Sequence, residues 1–68
     1  MALSARNQLT GTVGEVRLGD VMAHVVVKVG NYTLESLISR ASAEEMKLQK
    51  GDAVQVVIKS TEVMIRKD

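Results

Sequence analysis

The sequence predicts an all-β fold, a small five-stranded barrel with one short helix between the third and fourth strands. Apolar residues alternate with polar ones at the period of a strand over most of the chain. Gly19-Asp20, Gly30-Asn31 and Gly51-Asp52 break that alternation with turn chemistry. A single helix-start pattern, Ser42-Ala43-Glu44-Glu45, falls between the third and fourth apolar runs.

The first strand runs from Gln8 to Leu18. Leu9 and Val13 share one face while Val16 and Leu18 share the other, so Gly14 between them marks a β-bulge or sharp bend. A bend is what a long strand needs to serve both sides of a small barrel. In the second strand Val21, Ala23, Val25, Val27 and Val29 alternate with Met22, His24, Val26 and Lys28. Gly30-Asn31 predicts a tight hairpin into the third strand, Tyr32 to Ser39, with Tyr32, Leu34 and Ile38 on one face. At the helix start Ser42 accepts from the Glu45 backbone while Glu45 reaches back, and the helix runs to about Leu48. The fourth strand, Ala53 to Lys59, turns Val54, Val56 and Ile58 inward. Thr61 to Arg66 is the fifth, with Val63 and Ile65 on one face. This is the element order of an OB-like barrel. An SH3-like barrel has a similar strand count but usually lacks the helix.

The 68 residues make one domain, 1–68, near the size at which a single core is only just sufficient. The absence of cysteine excludes disulfides and thiolate metal sites, and the core has no Phe or Trp to draw on. Met22, Val26, Leu37, Val57 and Met64 put apolar side chains on the outward faces of four strands. A chain of this size with no staple buries such faces against copies of itself. The formal net charge of +1 provides no long-range field for nucleic acid or an anionic membrane. No signal-peptide pattern or membrane-length apolar run is present, and a cytoplasmic location is the expectation.

Two polar stretches carry the chemistry. Ser4-Ala5-Arg6-Asn7-Gln8 precedes the first strand, and Lys59-Ser60-Thr61 joins the fourth to the fifth; both are richer in hydrogen-bond donors than acceptors. Such a set suits a small anion. Ser4-Ala5-Arg6-Asn7-Gln8 followed by Gly11 and Val13, then Gly51, Val54 and Ile58-Lys59-Ser60-Thr61-Glu62-Val63-Met64, resembles the molbindin (Mop) family of molybdate- and tungstate-binding proteins. The resemblance covers nearly the whole chain, although Arg17 to Glu35 matches only in hydrophobic pattern. Ser60 stands where the family more often has alanine, and Lys47 where a glycine is common.

The resemblance implies a cytoplasmic oxyanion-binding protein for storage or homeostasis, assembled as a homo-oligomer, commonly a hexamer built as a trimer of dimers. It places the anion where Ser4-Ala5-Arg6 of one subunit meets the Ser39-to-Ser42 loop and Lys59 of another, with Ser39, Ala41, Ser42 and Ser60 in the site. The chemistry fits, because molybdate and tungstate are tetrahedral dianions that accept hydrogen bonds and carry no proton near neutral pH. Their pocket should offer hydroxyls, N–H groups and cations, and no carboxylates. The ligand is a molybdate or tungstate ion and no catalytic cofactor is expected.

The alternatives rest on weaker signals. An OB-type nucleic-acid module needs stacking aromatics and a basic groove, and this chain has one tyrosine and balanced charge. A sensing module of a transporter or regulator is set aside on length. His24, alone on an outer strand face, reads as surface and not as a metal ligand, and Glu44 and Glu45 are explained by charge at a helix start. No nucleophile with a base and no glycine-rich phosphate loop appears, so no enzyme activity is expected.

Overall fold

The computed structural model describes residues 4–68. It contains four strands, β1 (Asn7–Leu18), β2 (Met22–Val29), β3 (Tyr32–Ser39) and β4 (Ala53–Ile58), with one α-helix, α1 (Arg40–Glu45), between β3 and β4. They form one antiparallel sheet in the order β3-β2-β1-β4.

The long strand β1 is shared between two neighbours. Asn7 to Thr12 pair with β4, and Thr12 to Leu18 pair with β2. The changeover is made by a bulge: Val13 opposes Val27 and Glu15 opposes Val26, which leaves Gly14 as the extra residue. That insertion resolves the broken phase of the sequence. Gly11 and Val13 point inward before it and Val16 after it, so both halves of β1 present their apolar side chains to one core. Just before the bulge, beyond the Thr12–Ala53 pair, the β4 side of β1 is continued by Val13 N–H to Asp52 C=O at 2.9 Å and Gly51 N–H to Val13 C=O at 2.8 Å.

The core consists of Val13, Val25 and Val27, with Val16, Val29, Ile38, Leu48, Val54 and Val56 packed against it. Burying one such side chain contributes about 1.5 to 3 kcal/mol, so a core of this size leaves little margin. Gly11 is placed where β2 comes closest. A Cβ there would sit 2.7 Å from the Lys28 carbonyl oxygen and 2.7 Å from Val27 Cγ1.

Two sequence expectations are corrected. The helix starts earlier than the Ser42 pattern predicts, because β3 runs straight into it with no intervening loop. Ser39, still extended at φ −68° and ψ 147°, is therefore the N-cap, and its Oγ accepts the Ser42 N–H at 3.0 Å. The helix also ends at Glu45, before Leu48. Lys47 N–H donates to the Glu44 carbonyl and Leu48 N–H to the Ala43 carbonyl, a Schellman closure that swings Leu48 into the core. That closure requires a left-handed residue, and Lys47 takes the position at φ 52°.

The second correction concerns the fifth strand, expected at Thr61 to Arg66. Ser60–Glu62 instead form a 3-10 turn, and 63–68 follow without sheet pairing. The turn carries the chain away from the β4 edge, and Met64 and Ile65 are about nine-tenths exposed. An isolated strand gains no ladder bonds to offset the entropy of ordering it. Among the described residues the sheet is therefore four-stranded, with β3 and β4 at its edges.

Two substitutions test this account. Lys47→Gly should raise stability by about 0.5 to 1 kcal/mol in urea unfolding, since relief of the left-handed strain exceeds glycine's extra freedom in the unfolded chain. Gly11→Ala should lower it by about 1 to 3 kcal/mol in the same measurement, because the backbone carbonyl of Lys28 cannot yield to the new methyl group as a side chain would.

Candidate functional site

The donors singled out in the sequence fall into two groups. Asn7 pairs with Ile58 at the end of the β1–β4 ladder, and the Asn7 side-chain amide reinforces the pairing by donating to the Ile58 carbonyl at 3.3 Å. Arg6 and Lys59 are the next residues outward from that last pair on the two segments. Ser4, Ala5, Arg6, Lys59 and Ser60 thus gather at one end of the sheet. Ala5 is half-buried and the other four are exposed. Gln8 Nε2 donates to the Ala5 carbonyl at 3.2 Å and ties the leading segment to the start of β1.

Ser39, Ala41 and Ser42 lie at the other end. Ser39 pairs with Met22, the first residue of β2, and β2 joins the far end of β1 through Leu18 opposite Ala23. The twelve-residue length of β1 therefore separates the two groups within one chain. Lys59 stands with Ser4-Ala5-Arg6 and away from the Ser39-to-Ser42 segment. At the helix start the Ser39 hydroxyl accepts from the Ser42 backbone and lies 2.8 Å from the Ser42 hydroxyl.

The electrostatics of the two ends differ. Among the described residues the ion pairs are Arg17–Glu15, Arg40–Glu44 and Arg66–Asp68, and His24 Nε2 lies 2.7 Å from Glu35 Oε1. Arg6 and Lys59 are in none of them. A Lys59–Glu62 pair across the turn, the plainest structural use for that lysine, is also not formed; the contact there is Glu62 N–H to the Lys59 carbonyl at 2.9 Å. The β1–β4 end thus presents two uncommitted cations and two hydroxyls. The β3–α1 end presents two hydroxyls beside a cation already held by Glu44. No group of three or more His, Cys, Asp or Glu side chains able to hold a metal ion occurs among the described residues. None of the helices there is long and apolar enough to cross a membrane.

Sequence reasoning missed three contributors to this geometry. Asn7 and Gln8 were legible only as donors, whereas both act on the protein's own carbonyls. Arg40 was read merely as part of the loop, although Glu44 four residues on signals an intrahelical pair.

Comparison with known proteins gives this arrangement a context. Residues 3–65 match the TOBE domain family. "Molybdenum-pterin-binding protein 3" of Clostridium pasteurianum is 46% identical over 66 residues, which span 96% of this chain and 97% of the relative. The structure of a molybdate binding protein from Sporomusa ovata superposes with a TM-score of 0.95 at 36% identity, covering 98% of this chain and all of that one. The molybdate-bound structure of ModG, described as a cytoplasmic molybdate-binding protein, gives 0.83 at 34% identity, covering 88% of this chain and 43% of that one. These relatives are binding proteins by name. With a TOBE match over nearly its full length, and relatives of this identity aligned end to end, the chain belongs to the molbindin (Mop) family.

Proposed function

We propose that this protein binds molybdate or tungstate in the cytoplasm, for storage or homeostasis, at sites formed between subunits of a homo-oligomer. The observation that carries this reading is the division of the donor set between the two ends of β1. A tetrahedral dianion needs donors converging from several directions, and one chain offers them in two halves facing away from each other. When the Arg6–Lys59 end of one subunit meets the Ser39–Ser42 end of another, Ser4, Ala5, Arg6, Lys59 and Ser60 face Ser39, Ala41 and Ser42 around one ion. That pocket contains two cations, several hydroxyls and backbone N–H groups; of the carboxylates in the contributing segments, Glu44 is occupied by Arg40 and Glu62 lies in the turn that follows Lys59. The names of the relatives couple molybdenum with a pterin; the donor set here matches the oxyanion.

The assembly we propose is a hexamer built as a trimer of dimers, and two features support it. Leu37, Met22 and Val57 are exposed on outward strand faces, Val63 is partly exposed, and Met64 and Ile65 are almost fully exposed beyond the sheet. On this reading Thr61 to Arg66 becomes a strand only when another subunit supplies its pairing, which completes the five-stranded OB-like barrel. The role is binding, not catalysis.

Native mass spectrometry with and without molybdate tests both statements. The expected result is a hexamer that gains discrete molybdate increments, and a folded monomer at micromolar concentration would overturn the interface site. Lys59→Gln keeps the side-chain stem and removes the charge. It should weaken calorimetric molybdate binding about tenfold or more, the scale of a charge-assisted hydrogen bond of about 1.5 to 3 kcal/mol, with oligomer size unchanged. An unaltered affinity would remove Lys59 from the site.

A further inference from the structure

Arg40 sits inside the Ser39-to-Ser42 segment, where a cation would be expected to face the anion, yet its donors are committed elsewhere. Its backbone N–H donates to the Val21 carbonyl at 2.8 Å. The guanidinium Nη1 donates to the Gly19 carbonyl at 3.1 Å, and Nε donates to Glu44 Oε1 at 3.1 Å. The β1–β2 turn that receives these bonds is itself closed by Gly19 N–H to the Met22 carbonyl at 2.8 Å. Met22 in turn is the register partner of Ser39. One side chain therefore links the turn, the first residue of the helix and its last turn into a ring around Ser39 and Ser42.

We propose that Arg40 is a positioning residue. It holds the Ser39–Ser42 segment against the β1–β2 turn and does not bind the anion itself. The inference rests on the molybdate site proposed above and adds how that half of it is kept in shape. The planar fork of an arginine suits the task, since it reaches a carbonyl on one side and a carboxylate on the other in a fixed geometry, which a single ammonium group cannot do. Glu44 fixes the second prong. Its side chain is 58% exposed, so its part is to aim the guanidinium and not to form a strong pair.

Glu44 separates this role from direct ligation. Glu44→Gln and Glu44→Ala both remove the negative charge, but only glutamine retains an oxygen that accepts from Arg40 Nε. As a tether, Arg40 requires that acceptor, so Glu44→Gln should bind molybdate about threefold or more tightly than Glu44→Ala in calorimetry, with the same oligomer mass. Arg40→Lys, which keeps the charge and loses the fork, should weaken binding by a similar factor. Equal affinities for the two Glu44 variants, both at or above wild type, would overturn the tether and make Arg40 a ligand released by loss of its partner. Amide hydrogen exchange at Arg40 and Ser42, followed without any anion, gives a second readout. Exchange about threefold or more faster in Glu44→Ala and Arg40→Lys than in wild type supports the tether, and unchanged exchange overturns it. Failure of the wild type to take up molybdate would instead overturn the proposed function, and the exchange data would still decide the tether.

Discussion

The fold depends on one strand satisfying two partners in succession. The first half of β1 gives its ladder bonds to β4 and the second half to β2, with Thr12 paired on both sides and Gly14 inserted just beyond it. Without the extra residue, the inward side chains of the second half would be out of phase with those of the first, and Val16 would face solvent where Val13 faces the core. Gly11 permits the same bend from the inside, since β2 crosses over it too closely for any side chain. The twelve residues of β1 also set the distance between the two donor groups, so the geometry that makes a curved sheet from four strands also keeps half of a pocket at each end.

Much of this was readable from the residues. The alternation expected from Val21 to Val29 became β2 from Met22 on, with Ala23, Val25 and Val27 inward and Val21 left exposed in the turn, and Gly30-Asn31 closed the hairpin to β3 at the expected place. The phase break at Gly14 proved to be a bulge because a strand with glycine between two opposed apolar pairs has few other solutions. The helix was visible but its start was not. Ser39 and Ser42 are equally good caps by residue type, and the choice was made by β3 ending at Ser39 with its backbone already extended. The fifth strand failed for a different reason. Alternation in Thr61 to Arg66 records which side chains could share a face, and pairing requires an edge that this chain alone does not bring to it.

For the site, the sequence identified the donor residues but not their grouping. Lys59 was expected to act with the Ser39-to-Ser42 segment of its own subunit, and the β1–β4 ladder, which ends at Asn7 opposite Ile58, leaves it at the Arg6 end of the sheet. Such a pairing between residues near the two chain ends is set by a ladder, which no local pattern encodes. Arg40 illustrates the converse. The sequence placed it only within the Ser39-to-Ser42 loop, whereas its hydrogen bonds direct it to Gly19 and Glu44.

The Asn7–Ile58 pairing joins residues 51 positions apart in the chain. Closing a loop of that length carries an entropy term of about 3.5 kcal/mol from (3/2)RT ln n, whereas the Gly30-Asn31 hairpin carries about 1 kcal/mol by the same expression. The β2–β3 hairpin can therefore form early and independently, and the β1–β4 ladder forms late, once the rest of the sheet supports it. By the same arithmetic it is the first ladder to open in the folded protein. Arg6 and Lys59 lie one residue beyond the Asn7–Ile58 pair that ends that ladder, so these two unpaired cations flank the end at which it would fray. A bound dianion there would close the ladder as it neutralises the two cations.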